Sequence, residues 1–215
     1  HANGQHGGGG RTSFMLSVGL TGGLASGKSF VSAALAELGC RVLHADIVGH
    51  EVLEPGGEAY APAVTEFGRE ILNEDGTIDR RRLGAIVFAS PERLAKLNSF
   101  VHPAVFRREE EFMAAAHAAD PQGIVVVEAA ILVETGSYKK FDRLAVTICD
   151  RETQIRRAIK RDGLTQAEVE ARLSRQLPAE ELRKVADDVI DTSGTKENTL
   201  AQVQEVYRAW RSLGQ

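Results

Sequence analysis

The chain has 215 residues, 43% hydrophobic and 26% charged, which is an ordinary composition for a soluble protein with one sizeable core. Its formal net charge of -4 argues against a general nucleic-acid binder, because affinity for a phosphate backbone requires a basic surface. No apolar run approaches the ~18 residues that span a bilayer, and we expect no secretory signal. Binding to nucleic acid or to a membrane is therefore not expected.

The first 14 residues, HANGQHGGGGRTSF, have low complexity and end just before Met15. They are typical of a tag or of a disordered extension. We therefore expect the fold to begin with the apolar residues that follow Met15.

Cys40 and Cys149 each lie within or beside an apolar, strand-like run. They are far apart in sequence and lack the spacing of a zinc site. We expect both to be buried reduced thiols, which are typical of a cytoplasmic protein. We further expect a monomer or a weak oligomer.

The first predicted strand, residues 16–21, leads into a glycine-rich loop. Residues 22–29, GGLASGKS, match every fixed position of the phosphate-binding P-loop pattern G-x-x-x-x-G-K-[ST], and apolar residues at helical spacing follow. Glycines let several backbone N–H groups point into one concavity, where the positive end of the following helix also attracts an anion. Lys28 would reach the β- and γ-phosphates of ATP, and the Ser29 hydroxyl would bind Mg²⁺. The predicted ATP-binding residues of this loop are Gly22, Gly23, Leu24, Ala25, Ser26, Gly27, Lys28 and Ser29.

Four more strand-like runs follow, at residues 41–45, 124–128, 143–149 and 188–191, with helical stretches between them. Strands rich in β-branched residues that alternate with helices indicate a mostly parallel sheet covered on both faces. We therefore predict the α/β fold of P-loop NTPases, with three layers and a mostly parallel five-stranded sheet. The predicted nucleotide-binding core comprises residues 15–50, 123–150 and 187–215.

Residues 51–122 contain several helix signals and no convincing strand. Asp79 and the Ser90-Pro91 pair are typical helix starts, and a further helical stretch follows from Pro103. This interval is too long for a simple crossover, so it predicts a helical subdomain inserted into the core.

Residues 151–186 form a second helix-rich segment, which is broken at Asp162-Gly163 and restarts with a capping box of Thr165 and Glu168. A solvated charged face would explain its many cations. A phosphoryl-transfer enzyme, however, also needs mobile cations that neutralise the γ-phosphate and exclude water. We therefore predict that this segment is a helical lid. Its cations are Arg156, Arg157, Lys160, Arg161, Arg172 and Arg175.

Two carboxylates follow predicted strands at the edge where open α/β sheets bind ligands. Asp46 comes after the second strand and would accept the proton of an attacking hydroxyl or help to hold Mg²⁺. Its simpler alternative is a helix N-cap, and both roles are compatible. Glu128 ends the third strand and is a weaker candidate for a metal or water ligand, since a strand-terminal glutamate is often solvated.

Further segments follow the P-loop in a fixed order between about Ser17 and Tyr207. They read HADIVGHEVLEPG, FGREILNEDGTIDRRRL, HP at 102–103, ILVE at 131–134, QIRRAIKRDG and ADDVIDTSG. None is specific alone, but in this order and spacing the chain resembles the dephospho-coenzyme A kinase family. The resemblance implies ATP-dependent phosphorylation of the ribose 3′-hydroxyl of dephospho-CoA, the last step of CoA biosynthesis, with Mg²⁺ as the cofactor.

The same resemblance implies roles for individual residues. Asp46 matches the family's general base, and Arg157 matches the lid arginine that faces the phosphates, assisted by Arg161. The DTSG segment, residues 191–194, resembles the loop beside the adenine of ATP, which implies ATP contacts by Ser193 and Gly194.

The family's helical insertion binds the CoA-type substrate, which implies substrate contacts within residues 51–122 of this chain. A helix-ending histidine satisfied by local hydrogen bonds is an equally good explanation of His102. The implied substrate-binding residues are Asp46, Phe67, Arg80 and His102.

The chain departs from the family pattern at a few positions. The family commonly has D-A-D where this chain reads His44-Ala45-Asp46, and Glu128 stands where an aspartate is frequent. Ala25 replaces a frequent glycine in the P-loop. None of these changes removes a group that the chemistry requires.

Two other functions are compatible with the same sequence features. The first is another P-loop nucleotide or small-molecule kinase. The second is a nucleotide-dependent switch protein, although the guanine-reading pattern N-K-x-D is absent. The long helical insertion and the arginine-rich segment favour a kinase over a switch.

Overall fold

The computed structural model describes residues 15–214, so the expected tag or extension at residues 1–14 lies outside the described residues. Within that range five strands form one sheet, in the order β2-β3-β1-β4-β5, and all neighbouring strands are parallel. The strands are Leu16–Gly22 (β1), Arg41–His44 (β2), Ile124–Glu128 (β3), Arg143–Ile148 (β4) and Asp188–Asp191 (β5). The predicted five-stranded parallel sheet is confirmed, although β2 and β4 each end one residue earlier than expected.

Helices cover both faces of this sheet. They are Lys28–Glu37 (α1), Ala45–Glu51 (α2), Tyr60–Phe67 (α3), Arg80–Phe88 (α4), Pro91–Ala119 (α5), Arg151–Asp162 (α6), Gln166–Ser174 (α7), Ala179–Val185 (α8) and Lys196–Leu213 (α9), with short 3-10 helices at Arg69–Ile71 and Ser137–Lys140. Helices α1 and α9 pack on one face of the sheet, and α8 and the end of α5 pack on the other.

The alternation of side chains along β3 shows how this layering follows from the sequence. Val126 points into the core under α1 and α9, whereas Val125 and Val127 belong to the core under α5 and α8. Successive side chains of a strand point to opposite faces, and a parallel sheet buries both. An uninterrupted apolar run such as IVVV is therefore what a central parallel strand requires.

The segment between β2 and β3 is helical, as predicted, and has a hydrophobic core of its own that includes Phe67, Ile71 and Leu83. Asp79 and Ser90 cap α4 and α5 with side-chain hydrogen bonds, as their sequence context indicates. The expectation of a new helix near Pro103 is wrong, because α5 runs through that proline as one helix of 29 residues.

Proline lacks an N–H group, so α5 loses a backbone hydrogen bond at Pro103. The helix continues because it buries an apolar stripe before and after that point, including Leu97, Ala104 and Ala116. Packing of such a stripe supplies most of the stability of a helix in a folded protein.

The segment between β4 and β5 contains α6, α7 and α8. Helix α6 ends at Asp162 and is capped by Gly163, whose φ of 65° is left-handed, and α7 begins with the predicted capping box of Thr165 and Glu168. No helix within residues 15–214 combines the length and the apolar character needed to span a membrane.

Candidate functional site

The loop between β1 and α1 requires glycine at two positions, once for steric reasons and once for its backbone conformation. A Cβ atom on Gly22 would lie 2.1 Å from the Thr147 hydroxyl and 2.7 Å from the Thr147 carbonyl oxygen, so a larger residue cannot fit. Gly27, directly before α1, has a left-handed φ of 88°. The Ser26 hydroxyl hydrogen-bonds to the Thr147 hydroxyl at 2.8 Å, which fixes the loop against β4.

Ala25 also has a positive φ, at 53°, and it is the one such non-glycine residue among those described. An L-residue in this conformation costs about 1–2 kcal/mol. The replacement of a frequent glycine by Ala25 therefore places modest strain in the loop, where the surrounding structure must hold it.

Lys28, the first residue of α1, lies folded back over the loop. Its Nζ donates to the Gly22 carbonyl oxygen at 2.8 Å. Burial lowers the pKa of the Lys28 ammonium, and the negative charges of Glu128 and Asp46 partly oppose that effect. The three side chains therefore converge from α1, α2 and β3.

Asp46 lies in the first turn of α2 rather than at the end of a strand, because the strand stops at His44. The N-cap alternative for Asp46 is wrong, since the N-cap position belongs to His44. The backbone of Ala130 lies near the Asp46 carboxylate and favours its charged form. Although one side is open to solvent, the protein around it removes part of its hydration, which raises the pKa of Asp46, against the opposing effect of Lys28.

Glu128 is paired with His44 at the adjoining ends of β3 and β2. The two residues are register partners, and His44 Nδ1 lies 2.5 Å from Glu128 Oε2. The Glu128 side chain is only 12% exposed, so the alternative of a freely solvated glutamate is wrong. In the sequence, His44 stands out only as a departure from the family pattern. The position of both residues at strand ends was the available signal for the pair.

The donors in this region fit a magnesium ion held together with nucleotide phosphates. Within residues 15–214 there is no cluster of three or more His, Cys, Asp or Glu residues suited to a metal. Mg²⁺ in kinases does not need one, because it uses one or two protein ligands, phosphate oxygens and water. The exposed Ser29 in the first turn of α1 and the Glu128 carboxylate offer such ligands.

Arg157 of α6 reaches the loop through Thr192, directly after β5. Its Nη2 donates to the Thr192 carbonyl oxygen at 2.5 Å and its Nη1 to the Thr192 hydroxyl at 3.1 Å. The Thr192 hydroxyl in turn donates to the Ser26 carbonyl oxygen at 2.7 Å. The structure therefore brings Arg157 to the glycine-rich loop. Arg161 is paired with Asp162, but it also lies near the loop, since its charge contributes to lowering the pKa of Lys28.

A cavity of about 480 Å³ adjoins this arginine. It lies between the glycine-rich loop, α6 and the segment after β5, and its lining includes Ala25, Gly27, Phe30, Arg157, Gly194 and Lys196. Ser193 instead accepts a hydrogen bond from the Asp150 backbone N–H at 3.0 Å. The cavity has the size and position for a nucleotide bound to the loop.

The residues implied as substrate contacts have different surroundings. Phe67 is only 3% exposed and packs in the core of the helical segment, so the structure makes it a packing residue rather than an accessible contact. Arg80 is exposed at the start of α4, with Nη1 3.0 Å from His50 Nδ1 on α2. His102 is exposed within α5, so the alternative of a helix-ending histidine is wrong.

Comparison with known proteins agrees with this arrangement. The family model described as dephospho-CoA kinase matches residues 16–198. A dephospho-CoA kinase of Thermobifida fusca is 44% identical over 193 residues, which cover 90% of this chain and 95% of that protein. A relative from Leifsonia xyli, also named dephospho-CoA kinase, is 43% identical. The match covers 92% of this chain and 100% of that protein.

A solved structure supports the same grouping. Dephospho-CoA kinase from Campylobacter jejuni superposes with a TM-score of 0.69 at 25% identity, covering 93% of this chain and 98% of that one. The family match spans most of the described residues, including every residue of the site from the glycine-rich loop to Gly194. The chain belongs to the dephospho-CoA kinase family.

Proposed function

We propose that the chain transfers the γ-phosphoryl group of ATP to the ribose 3′-hydroxyl of dephospho-CoA where α1, α2 and β3 meet, giving CoA and ADP. This reaction is the activity of its family and the last step of CoA biosynthesis. The observation that carries the assignment to this site is the convergence of Lys28, Asp46 and Glu128 beside the glycine-rich loop.

The donor half of the site consists of residues 22–29, Arg157 and the segment after β5. Backbone N–H groups of the loop and the start of α1 hold the phosphates, and Lys28 turns from the Gly22 carbonyl to the β- and γ-phosphates. Arg157 stabilises the charge that develops on the transferred group, with Arg161 joining it after leaving Asp162. Gly194, which lines the cavity beside Arg157, contacts the adenine, and Ser193 supports this segment through its hydrogen bond with the Asp150 N–H.

The acceptor half is organised around Asp46. Its carboxylate orients the 3′-hydroxyl and takes its proton while the hydroxyl oxygen forms a bond to the γ-phosphorus. The bond from that phosphorus to the β,γ-bridging oxygen breaks, and ADP leaves with the electron pair. The raised pKa of Asp46 suits it to this role, because a more basic carboxylate accepts a proton more readily.

Ser29 and Glu128 would hold Mg²⁺, which supplies positive charge that neutralises the β- and γ-phosphate oxygens. The hydrogen bond from His44 occupies only Oε2 of Glu128 and leaves Oε1 for this purpose. Ser29 follows Lys28 in the first turn of α1, so its hydroxyl and the Lys28 ammonium approach the phosphates together.

The remaining parts of the chain divide between binding and closure. Residues 51–122 hold the CoA-type substrate, with Arg80 and His102 as exposed contacts. Residues 151–186 act as a lid, and their closure requires the second substrate, since an open site would hydrolyse ATP. We further propose a cytoplasmic monomer or weak oligomer. The two buried, unpaired thiols, Cys40 and Cys149, support a reducing compartment.

A coupled assay of ADP release tests this proposal. With Mg-ATP and dephospho-CoA we expect rapid turnover and a product that gains one phosphate at the ribose, identified by mass spectrometry. Nucleoside monophosphates and other small alcohol acceptors should give little release above the acceptor-free rate. A preference for one of those acceptors would identify a different kinase. Slow release that no acceptor stimulates would instead indicate a nucleotide-dependent switch.

A further inference from the structure

The backbone of Leu24, in the glycine-rich loop, is held on two sides by glutamines. Its N–H donates to Gln176 Oε1 at 2.8 Å, and its carbonyl oxygen accepts from Gln154 Nε2 at 3.0 Å. Gln154 belongs to α6, and Gln176 follows the end of α7. We call Gln154, Leu24 and Gln176 the Leu24 clamp.

The two hydrogen bonds act on consecutive peptide units. The N–H of Leu24 belongs to the unit that joins it to Gly23, and its carbonyl belongs to the unit that joins it to Ala25. In a trans peptide the C=O and N–H point in opposite directions within one plane. When Gln154 fixes the Leu24 carbonyl, it therefore also fixes the direction of the Ala25 N–H. Binding of phosphate by a P-loop depends on the direction of such N–H groups.

Gly23 provides separate support for the clamp. The P-loop pattern leaves its position free, yet a Cβ atom there would lie 3.0 Å from Gln154 Nε2 and 3.3 Å from Gln176 Oε1. A side chain at this position would therefore require both amides to shift by a few tenths of an ångström from the positions in which they bind Leu24. The clamp thus gives a physical reason for a second glycine at the start of the loop.

The side chains next to the clamp pack against the same two helices. Leu24 and Ala25 belong to a hydrophobic cluster with Ala158 of α6 and Val169 of α7. The variable residues of the loop are therefore seated between α6 and α7, which hold both their backbone and their side chains. This contact stabilises the strained φ of Ala25.

The glutamines are not held by tight packing on every side. Both border a cavity of about 610 Å³ that extends to α8 and the end of β4. Alternative rotamers of these amides are therefore sterically available, and the hydrogen bonds to Leu24 select the observed ones. Substitutions at either position should also be tolerated by the fold.

We propose that Gln154 and Gln176 are positioning residues that hold the glycine-rich loop in its triphosphate-binding conformation, so that ATP affinity depends on the Leu24 clamp. This inference rests on the proposed function only in taking ATP as the bound nucleotide. In this proposal α6 and the segment after α7 have two roles. They cover the site, and they also fix the conformation of the glycine-rich loop.

The test measures ATP binding without any acceptor, by displacement of a fluorescent ATP analogue in the presence of Mg²⁺. Gln154→Met and Gln176→Met remove one hydrogen bond each at nearly constant volume, and we expect each to weaken ATP binding about 3- to 10-fold. Gln166→Met, on exposed α7 surface away from the loop, is the matched control and should bind like the wild type. Thermal melts of all variants verify folding.

A second pair of variants separates hydrogen bonding from charge. Gln176→Glu keeps an oxygen that accepts from the Leu24 N–H, whereas Gln154→Glu places an oxygen against the Leu24 carbonyl. Both add the same negative charge, so we expect Gln154→Glu to bind ATP several-fold more weakly than Gln176→Glu. Equal affinities for these two, or wild-type affinity in both methionine variants, would overturn the clamp. A wild-type protein that binds no ATP would contradict the proposed function itself.

Discussion

Arg157 donates to both the hydroxyl and the carbonyl oxygen of Thr192, at 3.1 and 2.5 Å. The Thr192 hydroxyl donates in turn to the Ser26 carbonyl oxygen. The position of the Arg157 guanidinium is therefore fixed relative to the backbone of the glycine-rich loop. The side chain of Thr192 also packs against Gly27. Thr192 is thus a buried connection between three separate segments of the donor site, and Arg157 depends on it for its orientation.

We expect Thr192→Val to lower kcat about 3- to 30-fold, because it keeps the shape of the side chain but removes the hydroxyl that links the Arg157 guanidinium to the Ser26 carbonyl oxygen. Arg157 then keeps its hydrogen bond to the Thr192 carbonyl oxygen and its contact with Cys149 Sγ. Arg157→Ala should lower kcat about 10²- to 10³-fold. The double variant should be no slower than Arg157→Ala, since Thr192 acts through that arginine. Steady-state ADP release measures all three. Independent, multiplying losses would show that Thr192 has a separate role.

The pH dependence of kcat/KM should report Asp46. Its raised pKa means that the base form is lost, and activity with it, as pH falls through a value above that of an ordinary aspartate, about 3.9. Asp46→Asn should lower kcat/KM by about 10²- to 10⁴-fold and remove this acid limb. The control is Asp75→Asn, at an exposed aspartate of the helical insertion, whose profile should match the wild type. An unchanged profile in Asp46→Asn would limit Asp46 to positioning.

The core of this fold was predictable because its signals are local and consistent. Three short patterns each predict a single local structure: the P-loop pattern, the apolar run of β3 and the capping box before α7. Parallel pairing then follows from the alternation of strands with helices. Pro103 shows the limit of this reasoning, since burial along α5 overrode a local helix-breaking signal.

The candidate site was less predictable because it depends on contacts between distant residues. The sequence places His44 and Glu128 at strand ends, but their pairing also requires the register of β2 against β3, which no local pattern gives. Phe67 matched a motif, but only the packing of the helical insertion shows that it is buried. The amides of Gln154 and Gln176 reach Leu24 across 130 and 152 residues of sequence.

Lys28→Met should lower kcat by about 10²- to 10³-fold, because it preserves the length of the side chain but removes the cation that we propose binds the β- and γ-phosphates. The matched control is Lys184→Met. Lys184 is an exposed residue of α8, distant in sequence from the loop, and it pairs with Glu181. That control should retain wild-type kcat. Full turnover by Lys28→Met, measured as CoA formed per second, would rule out the role given to the ammonium.

Trp210 of α9 packs at the amino-terminal ends of the strands, and we expect this end of the sheet to contribute to stability but not to catalysis. Its side chain is 1% exposed, and its Nε1 donates to Asp188 Oδ2 at 2.8 Å. The ring lies beside Leu16 and Ile124, at the starts of β1 and β3, whereas the site lies at the opposite ends of these strands. Trp210→Ala should therefore lower the free energy of unfolding by about 3–5 kcal/mol without changing kcat.

Urea unfolding followed by far-ultraviolet circular dichroism measures that loss, since Trp210 is the only tryptophan and its fluorescence disappears with it. Leu200→Ala, at a position 37% exposed on the same helix, is the control and should cost less than about 1 kcal/mol. Trp210→Phe should fall between the two, because it keeps most of the buried area but loses the hydrogen bond to Asp188, which retains Arg143 as a partner. A fall in kcat in Trp210→Ala, measured well below its melting temperature, would show that this edge is coupled to the site.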